Sequence, residues 1–356
     1  MKPAFTALRS ILQIHNPIYS IRRSRSTAGA PMSRRPWIWL LNGLCLLSSF
    51  ASGISLHHAC ALTPSQSLAD APLEFTVATY NVENYLIRSI PSRVGKSEAA
   101  RSQVTSIVFQ LHPDVLALQE IGSSDALDDL RLRLHSCGLD LPYSEFAPGH
   151  DPAIAVAVLS RFPILRANRH TNLSFVLDGR RFKTSRAFSE VELGISPTYR
   201  LIVVNAHLKS RRTVPEADEA EIREQEAICL RLLIDRIQMR NRRANVVICG
   251  DFNDSPDSPA LRIVRGAGPG GLLDTRPSER NGDRAPSADS RFSARRIHWT
   301  HYFSRDDLYS RIDYILLSRP LAREWLPDGS YVFSGPDWGL ASDHRPVLVR
   351  LVAVDR

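Results

Sequence analysis

The sequence predicts an α+β domain in which two β-sheets pack together and helices cover their outer faces. Apolar runs typical of buried strands follow one another and alternate with helical patterns along most of the chain. Only two segments, residues 96–112 and 215–240, have the spacing and length of long helices. Because so few long helices accompany so many strands, two packed sheets fit the pattern better than a doubly wound parallel sheet.

The predicted elements follow one another in a clear order. The first helix carries its apolar residues on one face and is expected to stop at His112-Pro113. The second helix is amphipathic and leads directly into an apolar strand. Residues 275–296 are rich in Ser, Arg, Pro and Gly without periodicity, and we expect a mobile surface loop there. The predicted strands are residues 73–84, 114–120, 153–160, 200–210, 246–249, 311–318 and 344–354.

The positive charge of the chain is concentrated at its N-terminus. Residues 1–61 contain seven of the 45 basic residues and no acidic residue. The remainder therefore carries 38 basic against 37 acidic residues and is almost neutral. The high isoelectric point belongs to this leader and is no argument for a polyanionic partner.

The leader has the plan of a secretory signal peptide. From Met32, the expected start, two arginines precede an apolar core, and small residues end in Ala59-Cys60-Ala61. We predict a leader at 1–61 with cleavage near Ala61, a linker at 62–73, and an exported protein, secreted or periplasmic. No stable membrane association is expected after cleavage. The alternative is an anchor through the uncharged residues 37–56.

The five cysteines do not form a disulfide framework. Cys45 and Cys60 lie in the leader, and Cys229 and Cys249 lie in apolar patterns of a helix and a strand. The sequence contains no cysteine–histidine spacing typical of a zinc site.

Polar side chains recur where the predicted strands end. In "VVICGDFND", Asp251, Asn253 and Asp254 follow a buried strand, and the local alternative is an Asx-type turn. Recurrence of this pattern at several strand ends predicts one oxygen-rich cleft. Oxygen ligands without cysteine favour a hard cation such as Mg²⁺, Mn²⁺ or Ca²⁺. The strand-end residues are Asn81, Glu83, Glu120, Asn205, His207, Asp251, Asn253, Asp313, Asp343 and His344.

Six motifs carry a resemblance to a known family. "YNVEN", "LQE", "NAHLKS", "GDFND", "RIDYIL" and "SDHRP" occur in this order and resemble the motifs of the endonuclease/exonuclease/phosphatase superfamily, which has the deoxyribonuclease-I-like fold. The resemblance covers residues 75–354. It implies a four-layer α/β/β/α sandwich of two face-packed mixed sheets, with a catalytic domain at 74–356. It also implies cleavage of phosphate esters with a divalent metal, Mg²⁺ or else Mn²⁺ or Ca²⁺.

The resemblance implies a role for each matching position. Asp251 matches the carboxylate that activates water, and Asn253 matches the amide beside it. His344 matches a histidine that faces the scissile phosphate, and Asp313 matches the acid that holds its imidazole. His207 corresponds to a second phosphate-facing histidine of the deoxyribonuclease-type members. The remaining positions match groups on the substrate phosphate (Arg186 and Asn205) and on the metal (Glu120, Asn81, Glu83 and Asp343).

Several of these residues keep a structural alternative. Glu120 is also compatible with a salt-bridged strand end, and His207 with a core histidine. Arg186 is also compatible with a surface cation, and Glu83 with a solvated acid. His301 is assigned to a loop.

The motifs predict a metal-dependent phosphodiesterase, and the leader predicts that it is exported. The preferred interpretation is a nuclease that acts as a monomer. Arginine clusters at 179–186 and 209–212 flank candidate site residues and suit a nucleic acid substrate. The alternatives are a phospholipid (sphingomyelinase-like) or inositol-phosphate phosphoesterase and a non-catalytic phosphate-binding module. A module without activity is expected to lack Asp251, Glu120 or His344, and the chain has all three.

Overall fold

Two six-stranded β-sheets form the centre of the protein in the computed structural model, which describes residues 72–280 and 296–354. The strands in chain order are β1 (Leu73–Tyr85), β2 (Val115–Ile121), β3 (Tyr143–Ala147), β4 (Ala155–Ser160), β5 (Ile164–His170), β6 (Ser174–Leu177), β7 (Arg180–Lys183), β8 (Phe188–Gly194), β9 (Arg200–His207), β10 (Val246–Asp251), β11 (Leu273–Asp274), β12 (His301–Phe303), β13 (Leu308–Ser310), β14 (Asp313–Leu317), β15 (Trp325–Val332) and β16 (Val347–Ala353).

Both large sheets are mixed. The first has the strand order β15-β16-β1-β2-β4-β3, and the second has the order β11-β14-β10-β9-β8-β5. Each sheet contains one parallel pair, β1 with β2 and β9 with β10, and its other neighbours are antiparallel. Two small ribbons, β6–β7 and β12–β13, stand outside the sheets. The carboxyl ends of the parallel strands lie at one edge of their sheet, which is where the polar motifs fall.

The helices lie outside the two sheets, and polar side chains cap the longer ones. The side chains of Ser97, Ser123, Asp218 and Ser258 accept hydrogen bonds from backbone N–H groups in the first turn of α1 to α4. The left-handed backbone of His112 (φ 48°) ends the first helix at the predicted place. The helices are α1 (Glu98–Leu111), α2 (Ser124–Ser136), α3 (Glu219–Arg240), α4 (Pro259–Arg265), α5 (Arg319–Ala322) and α6 (Trp338–Ala341).

Three apolar layers separate four layers of secondary structure. One cluster joins α1 and α2 to the first sheet, for example Val104 and Leu130 to Leu118. A second fills the space between the sheets, and a third joins α3 and α4 to the second sheet. The predicted α/β/β/α sandwich is thereby confirmed.

The seven predicted strand segments correspond to β1, β2, β4, β9, β10, β14 and β16, and the other nine strands that the structure describes were not predicted. Two further details differ from the prediction. Helix α2 was not predicted, because most of its residues are polar and only four are buried. Part of the expected surface loop at 275–296 is held in place: Thr275 and Ser278 are buried, and Glu279 accepts a hydrogen bond from Arg345 (2.6 Å). Residues 281–295 of that segment lie outside the described residues.

The predicted leader at 1–61, its cleavage point and the alternative anchor at 37–56 also lie outside the described residues, as does the linker up to residue 71. Within residues 72–280 and 296–354, none of the helices has the length and apolar character that a membrane crossing requires. Cys137, Cys229 and Cys249 are free thiols, and Cys249 is buried as expected.

Candidate active site

The candidate site lies at one edge of both sheets. In the second sheet, Asp251 at the end of β10 stands opposite His207 of β9 and Asp313 of β14 in the strand register. In the first sheet, Asn81 of β1 pairs with Gln119 of β2, next to Glu120. The parallel strands of each sheet therefore deliver their polar ends to the same place.

Gly250 allows the ends of β9 and β10 to lie close together. Its φ of +135° is rarely adopted by other residues, and a Cβ at this position would lie 1.9 Å from the carbonyl oxygen of Ala206. A glycine is thus required directly before Asp251 so that β10 and β9 can approach each other at their ends.

The carboxylate of Asp251 takes part in a turn and in the site at once. Its Oδ1 accepts the backbone N–H of Asn253 (2.8 Å), which is an Asx-type turn. Its Oδ2 accepts the Asn81 amide (2.9 Å) and lies 3.4 Å from Nε2 of His207 and 3.8 Å from Nε2 of His344. The turn and the site are therefore not alternatives, because each uses a different oxygen.

Burial raises the pKa of Asp251 to about 6, with His344 acting in the opposite direction and Asp313 in the same direction. Asn253 has a left-handed backbone (φ 54°) and donates its side-chain amide to the carbonyl of Leu208 (3.1 Å). The amide group is thereby fixed beside Asp251, where the carboxylate is poised to exchange a proton near neutral pH.

His344 forms a buried pair with Asp313. Nδ1 of His344 lies 2.8 Å from Oδ2 of Asp313, so Nε2 is left to face Asp251. Burial acts to lower the pKa of His344, but Asp313, Asp251 and Asp343 together raise it well above its ordinary value. The imidazole is therefore a buried cation at neutral pH.

His207, in contrast to His344, is neutral. Its side chain is buried, and burial together with the positive charges of Arg186 and His344 places its pKa well below the ordinary value. Among the described residues, its Nδ1 has no hydrogen-bond partner. Asp251 consequently lies between one neutral and one charged imidazole.

Asn81 and Glu120, two of the residues predicted to bind metal, are linked to Asp251 through hydrogen bonds of the Asn81 amide. Glu120 has a left-handed backbone (φ 68°), and its carboxylate accepts the Asn84 N–H (2.9 Å) and faces the Asn81 amide (3.4 Å). Non-glycine residues rarely adopt this conformation, and the hydrogen bonds to the Glu120 carboxylate hold the residue in place. Asn81 bridges Glu120 and Asp251, and its own oxygen accepts the N–H of Glu83 (3.0 Å).

The charges around Glu120 fit a divalent cation. Burial and then the negative charge of Asp343 raise the pKa of Glu83, and Lys96 only partly opposes them. Nζ of Lys96 is 4.0 Å from Glu83 and donates to the carbonyl of Ala341 (2.8 Å). The carboxylates of Glu83, Glu120 and Asp343 surround the single ammonium of Lys96, so negative charge is in excess. Carboxylate oxygens are the ligands that Mg²⁺, Mn²⁺ and Ca²⁺ prefer.

His301 belongs to the site, although the sequence placed it in a loop. It lies on β12, and its ring centroid is 4.6 Å from that of His344. Its Nε2 is 3.6 Å from Asp343, and the histidines act against burial to lower the pKa of this acid. Among the described residues, the groups close enough to share one ion are Asp251 with Asp313 and His344, and His301 with Asp343 and His344.

Asn205 does not join the cluster, so its assignment to the substrate phosphate needs correction. The residue is fully buried between the sheets, and its Nδ2 donates to the carbonyls of Leu118 and Ala157, both at 2.9 Å. Its Oδ1 accepts the Gln119 amide (2.7 Å). With these groups used by the protein itself, Asn205 ties the two sheets together below the site.

Arg186 lies at the border of the site. Its side chain is buried, Nη1 donates to the carbonyl of Leu208 (3.2 Å), and its Nε lacks a hydrogen-bond partner in the described part of the chain. A buried guanidinium with an unused donor is suited to a substrate oxyanion.

The four-layer sandwich belongs to the deoxyribonuclease-I-like class of folds. The chain belongs to the Endonuclease/Exonuclease/phosphatase family, which it matches over residues 78–344. Members of this family are metal-dependent phosphoesterases or nucleases. No curated protein matches the sequence significantly.

Solved structures with the same fold come from several organisms. The catalytic domain of human Nocturnin, solved with a bound sulfate anion, is 16% identical, covers 80% of this chain and 96% of its own, and has a TM-score of 0.55. Truncated TDP2 of Caenorhabditis elegans is 18% identical, with coverages of 79% and 98% and a TM-score of 0.52. Beta toxin of Staphylococcus aureus is 14% identical, with coverages of 77% and 99% and a TM-score of 0.54. At these identities the likeness concerns the fold.

Proposed function

We propose that the chain is an exported, metal-dependent phosphodiesterase that cleaves nucleic acid by in-line attack of water. The observation that carries this proposal is the position of Asp251 between a neutral His207 and a charged His344, beside the carboxylate of Glu120. This arrangement supplies a proton acceptor, a cationic donor and metal ligands around one point, as hydrolysis of a phosphodiester requires.

Each residue performs a separate part of the reaction. Asp251 accepts the proton of the attacking water, and Asn253 orients it. His344, kept charged by Asp313, donates from Nε2 to a phosphate oxygen and stabilises the negative charge that develops there. Glu120 and the neighbouring oxygens would hold a divalent cation, which would supply further neutralisation of the phosphate charge.

The surroundings of the site favour nucleic acid as the substrate. The ribbon β12–β13 adjoins the loop that carries Asp343 and His344, since the N–H of Tyr302 donates to the carbonyl of Asp343 (2.9 Å). The ring of Tyr302 stacks on that of Tyr309 at 4.5 Å, and Phe303 and Tyr309 are exposed. Exposed aromatic rings beside a phosphate-cleaving site suit the stacking of nucleobases.

A panel of substrates tests the proposed function. Purified residues 62–356 are incubated with plasmid DNA, RNA, sphingomyelin, an inositol phosphate and bis(p-nitrophenyl) phosphate in the presence of Mg²⁺, Mn²⁺ or Ca²⁺. We expect cleavage of nucleic acid at the highest kcat/KM. Faster turnover of sphingomyelin or an inositol phosphate would identify that ester as the substrate instead of nucleic acid. Absence of turnover with every substrate would support a non-catalytic binding module.

Hydrolysis is expected to depend on a divalent metal. EDTA should abolish the activity, and Mg²⁺ or Mn²⁺ should restore it. Glu120→Gln should raise the metal concentration for half-maximal rate by about 10-fold or more, because a charged ligand becomes a neutral one. Glu74→Gln at the distant start of β1 removes only a surface ion pair with Arg350 and is the matched control. Full activity of the wild type in EDTA would contradict the metal assignment.

The proposal of export rests on the leader sequence. Protein recovered from the medium or periplasm should begin near Leu62, because Ala59-Cys60-Ala61 has the small residues of a cleavage site. N-terminal sequencing of the recovered protein measures this. Recovery of uncleaved protein in the cytosol alone would argue against export.

A further inference from the structure

Arg93 is the central residue of a charged cluster that the sequence motifs do not include. Its Nη2 lies 3.3 Å from Oδ2 of Asp151, and its Nη1 donates to the side chain of Asn84. Nη2 of Arg186 approaches the same Asp151 oxygen at 3.9 Å. Two guanidinium groups therefore share one carboxylate, and the cluster keeps a net charge of one positive unit.

The protein holds this cluster firmly in place. The N–H of Asp151 donates to the carbonyl of Ser185 (3.0 Å), and a carboxylate oxygen of Asp151 accepts the N–H of Ala153 (2.9 Å). A Cβ at Gly149 would lie 2.6 Å from the Cα of Arg186, so the two loops are packed backbone to backbone. The arginines are thus pre-organised, which lowers the cost of binding an anion.

Arg93 and Asp151 of this cluster line a cleft that also contains Glu83, one of the residues predicted to bind metal. The cleft has a volume of about 700 Å³ and is lined by Glu83, Asn84, Arg93, Lys96, Asp151 and Arg212. The N–H of Asn84 binds the carboxylate of Glu120, so the residue that holds Arg93 also touches the proposed metal ligand. The side chain of Arg93 is 21% exposed and keeps donors that neither Asn84 nor Asp151 uses.

We propose that Arg93 and Arg186, held by Asp151, form a second phosphate subsite that binds the phosphate adjacent to the scissile one in a nucleic acid strand. The inference rests on the proposed function, since it requires a substrate with neighbouring phosphates. A guanidinium fork matches the geometry of a phosphate, and the two guanidinium groups with one carboxylate carry one net positive charge. Phospholipid headgroups with one phosphodiester have no group for this subsite.

Binding tests the subsite without any need for catalysis. Titration calorimetry of metal-free protein compares thymidine 3′,5′-bisphosphate with thymidine 5′-monophosphate. We expect the bisphosphate to bind about 10- to 100-fold more tightly, and Arg93→Gln to remove most of this difference. Arg88→Gln is the matched control, because Arg88 is an exposed arginine in the same loop. Equal affinities for the two nucleotides, or a preference that persists in Arg93→Gln, would overturn the proposal.

Kinetics separate this proposal from the proposed function. The substrates are the dinucleotide TpT, which has one phosphodiester, and the same dinucleotide with an added 5′- or 3′-phosphate. One added phosphate should raise kcat/KM of the wild type about 10-fold or more, and Arg93→Gln should lose this increase, measured as the ratio of kcat/KM with and without the added phosphate within each protein. An added phosphate without effect on the wild type overturns the subsite alone. Arg93-dependent binding of the bisphosphate without any hydrolysis overturns the proposed function alone.

Discussion

Asp251→Asn is expected to lower the single-turnover rate of phosphodiester hydrolysis by at least about 100-fold, the size of a lost general base. The side chain keeps its volume, and its remaining oxygen still accepts the N–H of Asn253, so the turn persists. The new NH₂ group replaces the oxygen that faces Asn81 and His207, and it has no charge with which to accept a proton. The rate is measured by rapid quench on the best substrate, with circular dichroism as the check on folding.

The neighbouring acid in the same motif is the matched control. Asp254 pairs with Arg223 at 2.9 Å and does not reach the histidines, so Asp254→Asn should leave the chemical step almost unchanged. Near-wild-type turnover of Asp251→Asn would leave this carboxylate with its turn alone and refute the mechanism.

His344→Ala is expected to reduce the rate by about 100- to 1,000-fold, since it removes a positioned cationic donor. Asp313→Asn should cost less, because it only orients and charges the imidazole. In this variant the pKa of His344 falls, so the imidazole loses its proton at a lower pH and activity declines earlier as the pH rises. Two measurements check this: the pH–rate profile and the NMR titration of the ring.

His135→Ala controls for the loss of an imidazole. This histidine is exposed on α2 and meets only Asp140 at 3.3 Å, so its removal should not change the rate. If the pKa of His344 stays the same in Asp313→Asn, the buried pair does not set the charge of the imidazole, and the role given to Asp313 is wrong.

Seven buried strands and their polar ends were predictable because both signals are local, whereas the nine other strands, most of them short or partly exposed, were not predicted. A buried strand such as β10 is a continuous apolar run, and the acids that follow it stand out. Helix α2 gives a much weaker signal: Ala126, Leu127, Leu130 and Leu134 face the core among eight polar residues and one exposed leucine. Its stability depends on packing against the first sheet, which single-sequence periodicity does not reveal.

Residues that enter the site from outside the motifs were not predictable. His301 of β12 forms an antiparallel backbone bridge with His344. Arg93 and Arg186 are linked because both form ion pairs with Asp151. Both contacts join segments far apart in sequence. The prediction for Asn205 needs correction for a different reason. Its place near a strand end suggested the site, but only the three-dimensional packing shows that its amide forms hydrogen bonds with the other sheet.

The hydrogen bond between Asn81 and Asp251 spans the gap between the two sheets, because each residue belongs to a different one. The apolar side chains between the sheets, such as Val77 and Val203, therefore act as a spacer that sets the distance between the proposed metal ligands and the proposed proton acceptor. A change of side-chain volume in this spacer would shift one half of the machinery against the other. We therefore expect the proposed activity to be sensitive to substitutions of residues between the sheets, which do not contact the substrate.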